Sequence, residues 1–199
     1  MSDDQQRDTL ERCIERHQQW LDSEGVDGEQ LDLRAAGLAE IDWADARLCE
    51  VDLREARMEG ARLVRADLYG SLLAGARLDR AVLDGANLAK ANIDEASLID
   101  ASLRGAKVVR ATFSGADLRR ADFTGADLLK SYLANADLRG AILAGNLERV
   151  GLTGARVAGV KLSGATALES ASVEWIDIGE DEPHRLEGEA ARAWLRART

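Results

Sequence analysis

The chain has 199 residues, of which 46% are hydrophobic but only 4% aromatic, with a single proline; its core must therefore be built from Ala and Leu, an unusual supply for a mixed globular enzyme. Its 36 acidic side chains against 26 basic ones leave a net charge of −10, which disfavours direct nucleic-acid binding through a basic surface. Two cysteines make no disulfide framework, and no run approaches the ~20 apolar residues that a bilayer span needs.

Residues 1–12 carry charges and no long apolar run, so no secretory leader is expected and the cytoplasm is the default location. Leu10, Cys13, Ile14, His17 and Leu21 recur at helical spacing within residues 3–24, with Asp8 or Thr9 near the start and Gly25 as a stop. The apolar stripe of this helix is suited to covering an open end of whatever follows. His17 has no clustered ligand partners, so no metal site is expected.

From Leu31 the sequence divides into fives: LDLRA, AGLAE, IDWAD and onward to AILAG. The third residue of the pentad is apolar in 23 consecutive pentads, from Leu33 to Leu143, and the residue two before it is Ala in 18 of the 23. A helix would advance such a residue by ~140° beyond a full turn per pentad and spray it over every face, so helix is excluded. Two inward positions spaced by two match a short extended segment, after which the chain must turn a corner. Glycines closing many pentads, among them Gly60, Gly85 and Gly125, suit such corners. Burying one Leu contributes ~1.5–3 kcal/mol, whereas ordering five residues costs ~1–2 kcal/mol each, so a single pentad cannot fold and the turns must stack into a solenoid. A step of four from Leu143 to Leu147 and a step of six from Ala167 to Val173 break the beat. Altered corners are expected there.

The pentads ADLYG at 66, ANLAK at 86, ADLRR at 116, ADFTG at 121, ADLLK at 126 and ADLRG at 136 resemble those of the pentapeptide-repeat proteins. The resemblance implies an all-β solenoid, a right-handed quadrilateral parallel β-helix with four pentads per coil. Seven to eight coils at ~4.8 Å each make a rod roughly 35 Å long. HQQWLDSEG at 17–25 is similar to the capping segment that precedes the repeats in some members. The expected organisation is an N-terminal capping helix and linker over 1–30, the coil over 31–179, and a C-terminal helix over 180–199. Pro183 can open that last helix, with Leu186, Ala190, Trp194 and Leu195 on one side. This face either folds back over the last coil or pairs with a second subunit; the resemblance favours a homodimer through these four residues.

No Walker loop, dinucleotide fingerprint, nucleophile elbow or metal-spaced Cys/His set occurs, so no catalytic residue, cofactor or metal is expected. The resemblance to quinolone-resistance and antibiotic-immunity members implies protection of a type II topoisomerase, DNA gyrase or topoisomerase IV, by mimicry of DNA. Charge weighs against a full copy: residues 31–169 hold 20 acids and 19 bases, while a duplex ~35 Å long carries about 20 negative charges. A local stripe remains on the face holding Asp32, Asp52, Glu55, Asp94 and Glu95, opposed by Arg34 and Arg54. The alternative is a protein-interaction scaffold with an unrelated partner.

Overall fold

The computed structural model describes residues 3–198. Met1, Ser2 and Thr199, at the extremes of the expected terminal segments, lie outside the described residues. Helix α1 spans Asp3–Asp22, so Asp8 and Thr9 lie within it rather than at its start. Gly25, at φ 88°, donates its N–H to the Trp20 carbonyl and closes the helix end.

Over the repeat, each extended segment bridges in parallel to the segment twenty residues later: Asp32 with Asp52, Gly37 with Arg57, Asp42 with Arg62, Arg47 with Asp67. Four pentads therefore complete one turn, and the chain has four faces. Faces one to four begin with the pentads centred on Leu33, Leu38, Trp43 and Leu48. Face one stacks eight segments, from Asp32 to Ser172.

The corner explains the fivefold period. The Ala36 N–H donates to the Leu33 carbonyl at 3.1 Å, closing a tight turn whose third residue, Ala35, has φ 54°. The same left-handed conformation recurs at the last residue of successive pentads. Glycine holds it without steric cost, yet Glu55, Arg65, Lys90 and Asn135 adopt it too. Between coils the Leu33 N–H reaches the Asp52 carbonyl at 2.7 Å and the Asp52 N–H reaches the Leu31 carbonyl at 3.0 Å, so the stacked coils satisfy each other's backbone polar groups.

The Ala and Leu columns fill the interior. Leu63, Ala106, Leu118 and Leu138 are wholly excluded from solvent, and Phe113 meets Phe123 edge to face across one coil, with ring centroids 6.1 Å apart. Ser71 and Ser131 stand where Ala usually does, and each hydroxyl donates to a carbonyl of its own turn.

The irregular steps resolve into a loss and a repair. Bridges from Asp127 to Asn146 and from Ile142 to Lys161 span 19 residues; those from Gly151 to Ser172 and from Arg156 to Asp177 span 21. Gly145 is buried in the inward place of the following pentad, where a Cβ would lie 2.2 Å from the Ala126 carbonyl oxygen. The pentad is one residue short because its last residue doubles as the first of the next. Near 167 the expected centre, Ala167, instead takes the left-handed conformation and leads into a 3-10 turn over Leu168–Ser170; Leu168 is the buried residue.

The C-terminal segment is not one helix over 180–199. Strand β1, Trp175–Asp177, pairs antiparallel with β2, Arg185–Glu187. Helix α2 then runs Gly188–Arg196. Pro183 lies in the hairpin connection instead of opening the helix, because the Ile178 N–H bonds to the His184 carbonyl and Asp177 Oδ1 accepts the N–H groups of Gly179 and His184.

Candidate protein-binding surface

With the interior filled, recognition falls to the outward positions before and after each centre and to the corners. On face one, Asp32, Asp52, Leu72 and Asn92 follow one another in a bridged column. The five acidic residues expected on this face do share it, but their charges are not equally available. Residues flanking one centre point outward together, as i and i+2 of an extended segment do. Arg34 accordingly grips Asp32 at 3.0 and 2.6 Å, and Arg54 grips Asp52 at 2.9 and 2.6 Å. Arg34 also approaches Asp52 at 3.6 Å. The arginine hydrogen bonds hold both carboxyls below the usual carboxylate range. Asp94 accepts the Ser114 N–H at 2.7 Å. Glu55 and Glu95 occupy left-handed corners two coils apart, with Gly75 between them; neither is in an ion pair among the described residues.

The Asp-x-Arg arrangement recurs on face two, where Arg119 grips Asp117 and Arg139 grips Asp137, each with a closest approach of 2.6 Å. Other arginines reach across coils, as Arg65 does to Asp45 and Arg120 to Asp100. Most of the wall is therefore locally neutralised.

One corner differs. After face four the left-handed position is held in four successive coils by Lys90, Arg110, Lys130 and Arg149. Their alignment is fixed by the coil-to-coil bonds Lys90 N–H to Val109 carbonyl, Arg110 N–H to Leu129 carbonyl and Lys130 N–H to Glu148 carbonyl, at 2.8–2.9 Å. A sum of charge per face hides this row, because acids elsewhere on face four cancel it. Reading every twentieth residue, with one step of nineteen, exposes it.

The two ends are built differently. At the first, Leu10, Cys13 and Ile14 of α1 pack against the core. His17 is wholly buried, its ring stacked on Trp20 at 5.8 Å. At the other end α2 folds back over the last coil within its own chain, burying Ala191 and Leu195. Of the four residues expected at a dimer interface, Leu195 is thus spent inside the subunit. Leu186 and Trp194 are partly buried, Ala190 is exposed, and the Arg198 guanidinium lies 3.7 Å over the Trp194 ring. Among the described residues no group of His, Cys, Asp and Glu is arranged to hold a metal ion, and no helix is long and apolar enough to cross a membrane.

The family model for pentapeptide repeats matches residues 32–68, 61–98, 96–128 and 130–166, in eight copies. The chain belongs to the pentapeptide-repeat family. Pentapeptide-repeat proteins fold as right-handed quadrilateral β-helices, as the twenty-residue bridging here requires of the four faces. A trypsin-treated variant of QnrB1, a plasmid-mediated fluoroquinolone resistance protein, is similar at 15% identity and TM-score 0.56, over 72% of this chain and 79% of that one. Full-length QnrB1 is similar at 18% identity and TM-score 0.47, over 73% and 81%. HetL, a pentapeptide-repeat protein involved in heterocyst differentiation regulation from the cyanobacterium Nostoc, is similar at 28% identity and TM-score 0.34, over 77% and 83%. No curated protein matches the chain.

Proposed function

We propose that this pentapeptide-repeat protein acts by binding another protein through its outer wall, without a catalytic step, and that α1 and α2 serve as lids over the two ends of the coil. The observation that carries this reading is the filled interior: side chains such as Leu63, Leu103 and Leu138 leave no lumen, so outward residues alone meet a partner. Uncovered terminal coils would present unpaired backbone groups and invite aggregation.

The partner proposed first is a type II topoisomerase, DNA gyrase or topoisomerase IV, shielded from inhibitors by competition for its DNA-binding surface. Support comes from family membership and from the coil shared with QnrB1, a fluoroquinolone resistance protein. Mimicry of DNA is at most partial. Asp32 and Asp52 are tied to arginines, leaving Glu55, Asp94 and Glu95 to present negative charge on face one. The proposed setting is the cytoplasm. A homodimer formed through this end of the chain uses Leu186 of β2 with Ala190 and Trp194 of α2, and not Leu195.

The test is direct: purified protein is added to gyrase supercoiling and drug-induced cleavage assays. Relief of drug-induced cleavage supports the topoisomerase reading; no effect at micromolar dose removes it. A scaffold with an unrelated partner is the second reading, favoured by the basic row beside face four, whose sign is opposite to that of a DNA copy.

A further inference from the structure

On three corners of the coil, like charges never occupy successive turns. Arg65 answers Asp45, Arg120 answers Asp100, and Gly75 separates Glu55 from Glu95. The fourth corner breaks this rule three times running, with Lys90, Arg110, Lys130 and Arg149 at φ between 56° and 61°. Stability alone argues against the row on two counts. A left-handed corner favours glycine over any residue with a Cβ, and like charges spaced ~4.8 Å apart repel. Among the described residues Lys90, Arg110 and Lys130 are in no ion pair, and Arg149 approaches only Glu148, at 3.9 Å. Lys90 lies 5.1 Å over the Tyr69 ring.

Apolar side chains border the middle of the row, two on face four and one on face one. Val109 and Leu129, partly exposed, precede Arg110 and Lys130 on face four, and Tyr132, 56% exposed, follows Lys130 across the corner. The row spans about 14 Å, three steps of the stack. Beyond it in both directions the molecule is acidic, with a net −6 over residues 1–30 (nine acids, three bases) and −3 over residues 170–199 (seven acids, four bases). A long polyanion such as nucleic acid, continuing past the row, meets repulsion at each end, whereas a short acidic segment does not.

We propose that the corner formed by Lys90, Arg110, Lys130 and Arg149, with Val109, Leu129 and Tyr132 beside it, docks a short acidic segment of a partner protein in which apolar side chains alternate with carboxylates. The segment lies along the coil axis, its carboxylates on the basic row and its apolar side chains on the bordering surface. This rests on the protein-binding reading but not on the topoisomerase.

The experiment is fluorescence anisotropy on the full chain with a labelled peptide of alternating Glu and Leu long enough to cover the row, against an oligothymidylate of equal charge. Saturable peptide binding that weakens at least about tenfold in the double variant Arg110→Gly, Lys130→Gly, with a shallower salt slope, supports the strip. Glycine suits both corners, so the thermal midpoint of this variant stays level or rises and loss of binding is not loss of fold. Absence of saturable peptide binding, equal affinity in the variant, or tighter binding of the oligothymidylate overturns the proposal. Because the peptide measurement contains no topoisomerase, its failure and that of the gyrase assay are separate results.

Discussion

The Nε2–H of His17 donates to the carbonyl of Cys49 at 2.8 Å, while Nδ1 accepts the N–H of Leu31 at 3.1 Å. A backbone N–H can only donate, so the ring is neutral with its proton on Nε2. One helix residue thus closes two backbone groups of the first coil.

Burial pushes the His17 pKa below its usual value, against the smaller upward pull of its hydrogen bond to Cys49 and of Glu50 and with the help of Arg47. Protonation would set an N–H against the Leu31 N–H. The folded state binds its proton less readily than the unfolded chain, so this contribution is fully present above the unfolded pKa of about 6.5 and is lost as pH falls below it. Urea unfolding should therefore show stability falling as pH drops below about 6.5 in the native chain and a flatter profile in His17→Ala. The same variant should lose about 2 kcal/mol at pH 7.5, because it leaves buried backbone groups unpaired.

Gly145→Ala should destabilise strongly, by about 3 kcal/mol or more, since its Cβ would lie 2.2 Å from the Ala126 carbonyl oxygen. Gly105→Ala is the control: φ is 63° but no atom lies within 4 Å of the added Cβ, so the cost should be only about 1 kcal/mol from the left-handed backbone. Thermal melts of the two variants should differ in that order. Equal melting temperatures would contradict the close approach at residue 145.

On the acidic face, Glu55→Lys with Glu95→Lys should weaken topoisomerase binding and flatten its salt dependence, while Asp32→Asn should do little because that charge is already matched by Arg34. Surface plasmon resonance at several ionic strengths reads both. Unchanged affinity and slope in the Glu55/Glu95 variant would clear this face of any role.

Trp194→Ala should convert a dimer to a monomer in sedimentation if α2 pairs two subunits. Leu195→Ala should instead act on the subunit itself, lowering its unfolding free energy by about 2–5 kcal/mol as a buried Leu truncation does. Native protein that sediments as a monomer removes the pairing.

Much of the coil was legible because an inward residue at every fifth place, with Ala two before it, constrains the chain strongly. The Gly25 stop was legible because glycine takes the left-handed conformation that ends a helix without steric cost. What escaped depended on contacts between distant turns. Gly145 reads as the last residue of AILAG, and only the carbonyl of Ala126 beneath it shows that it serves as the first of the next pentad. Leu168 displaces Ala167 because the 3-10 turn rotates it inward. Pro183 looked like a helix opener, yet the carboxylate of Asp177 organises a hairpin around it. Formal charge overstated the acidic stripe. The spacing of Asp32 to Arg34 and of Asp52 to Arg54 already placed each pair on one side of an extended segment, so their neutralisation could have been read in advance.

The shortened turn at Gly145 also bears on the basic row. In an uninterrupted twenty-residue winding, the residue next in line after Lys130 would be Val150, a β-branched side chain poorly suited to positive φ. The omitted residue brings Arg149 into that place instead. The omitted residue thus keeps the following pentad in step with the coil before it, and an insertion that restored it would leave Arg149 twenty places after Lys130, still in the row.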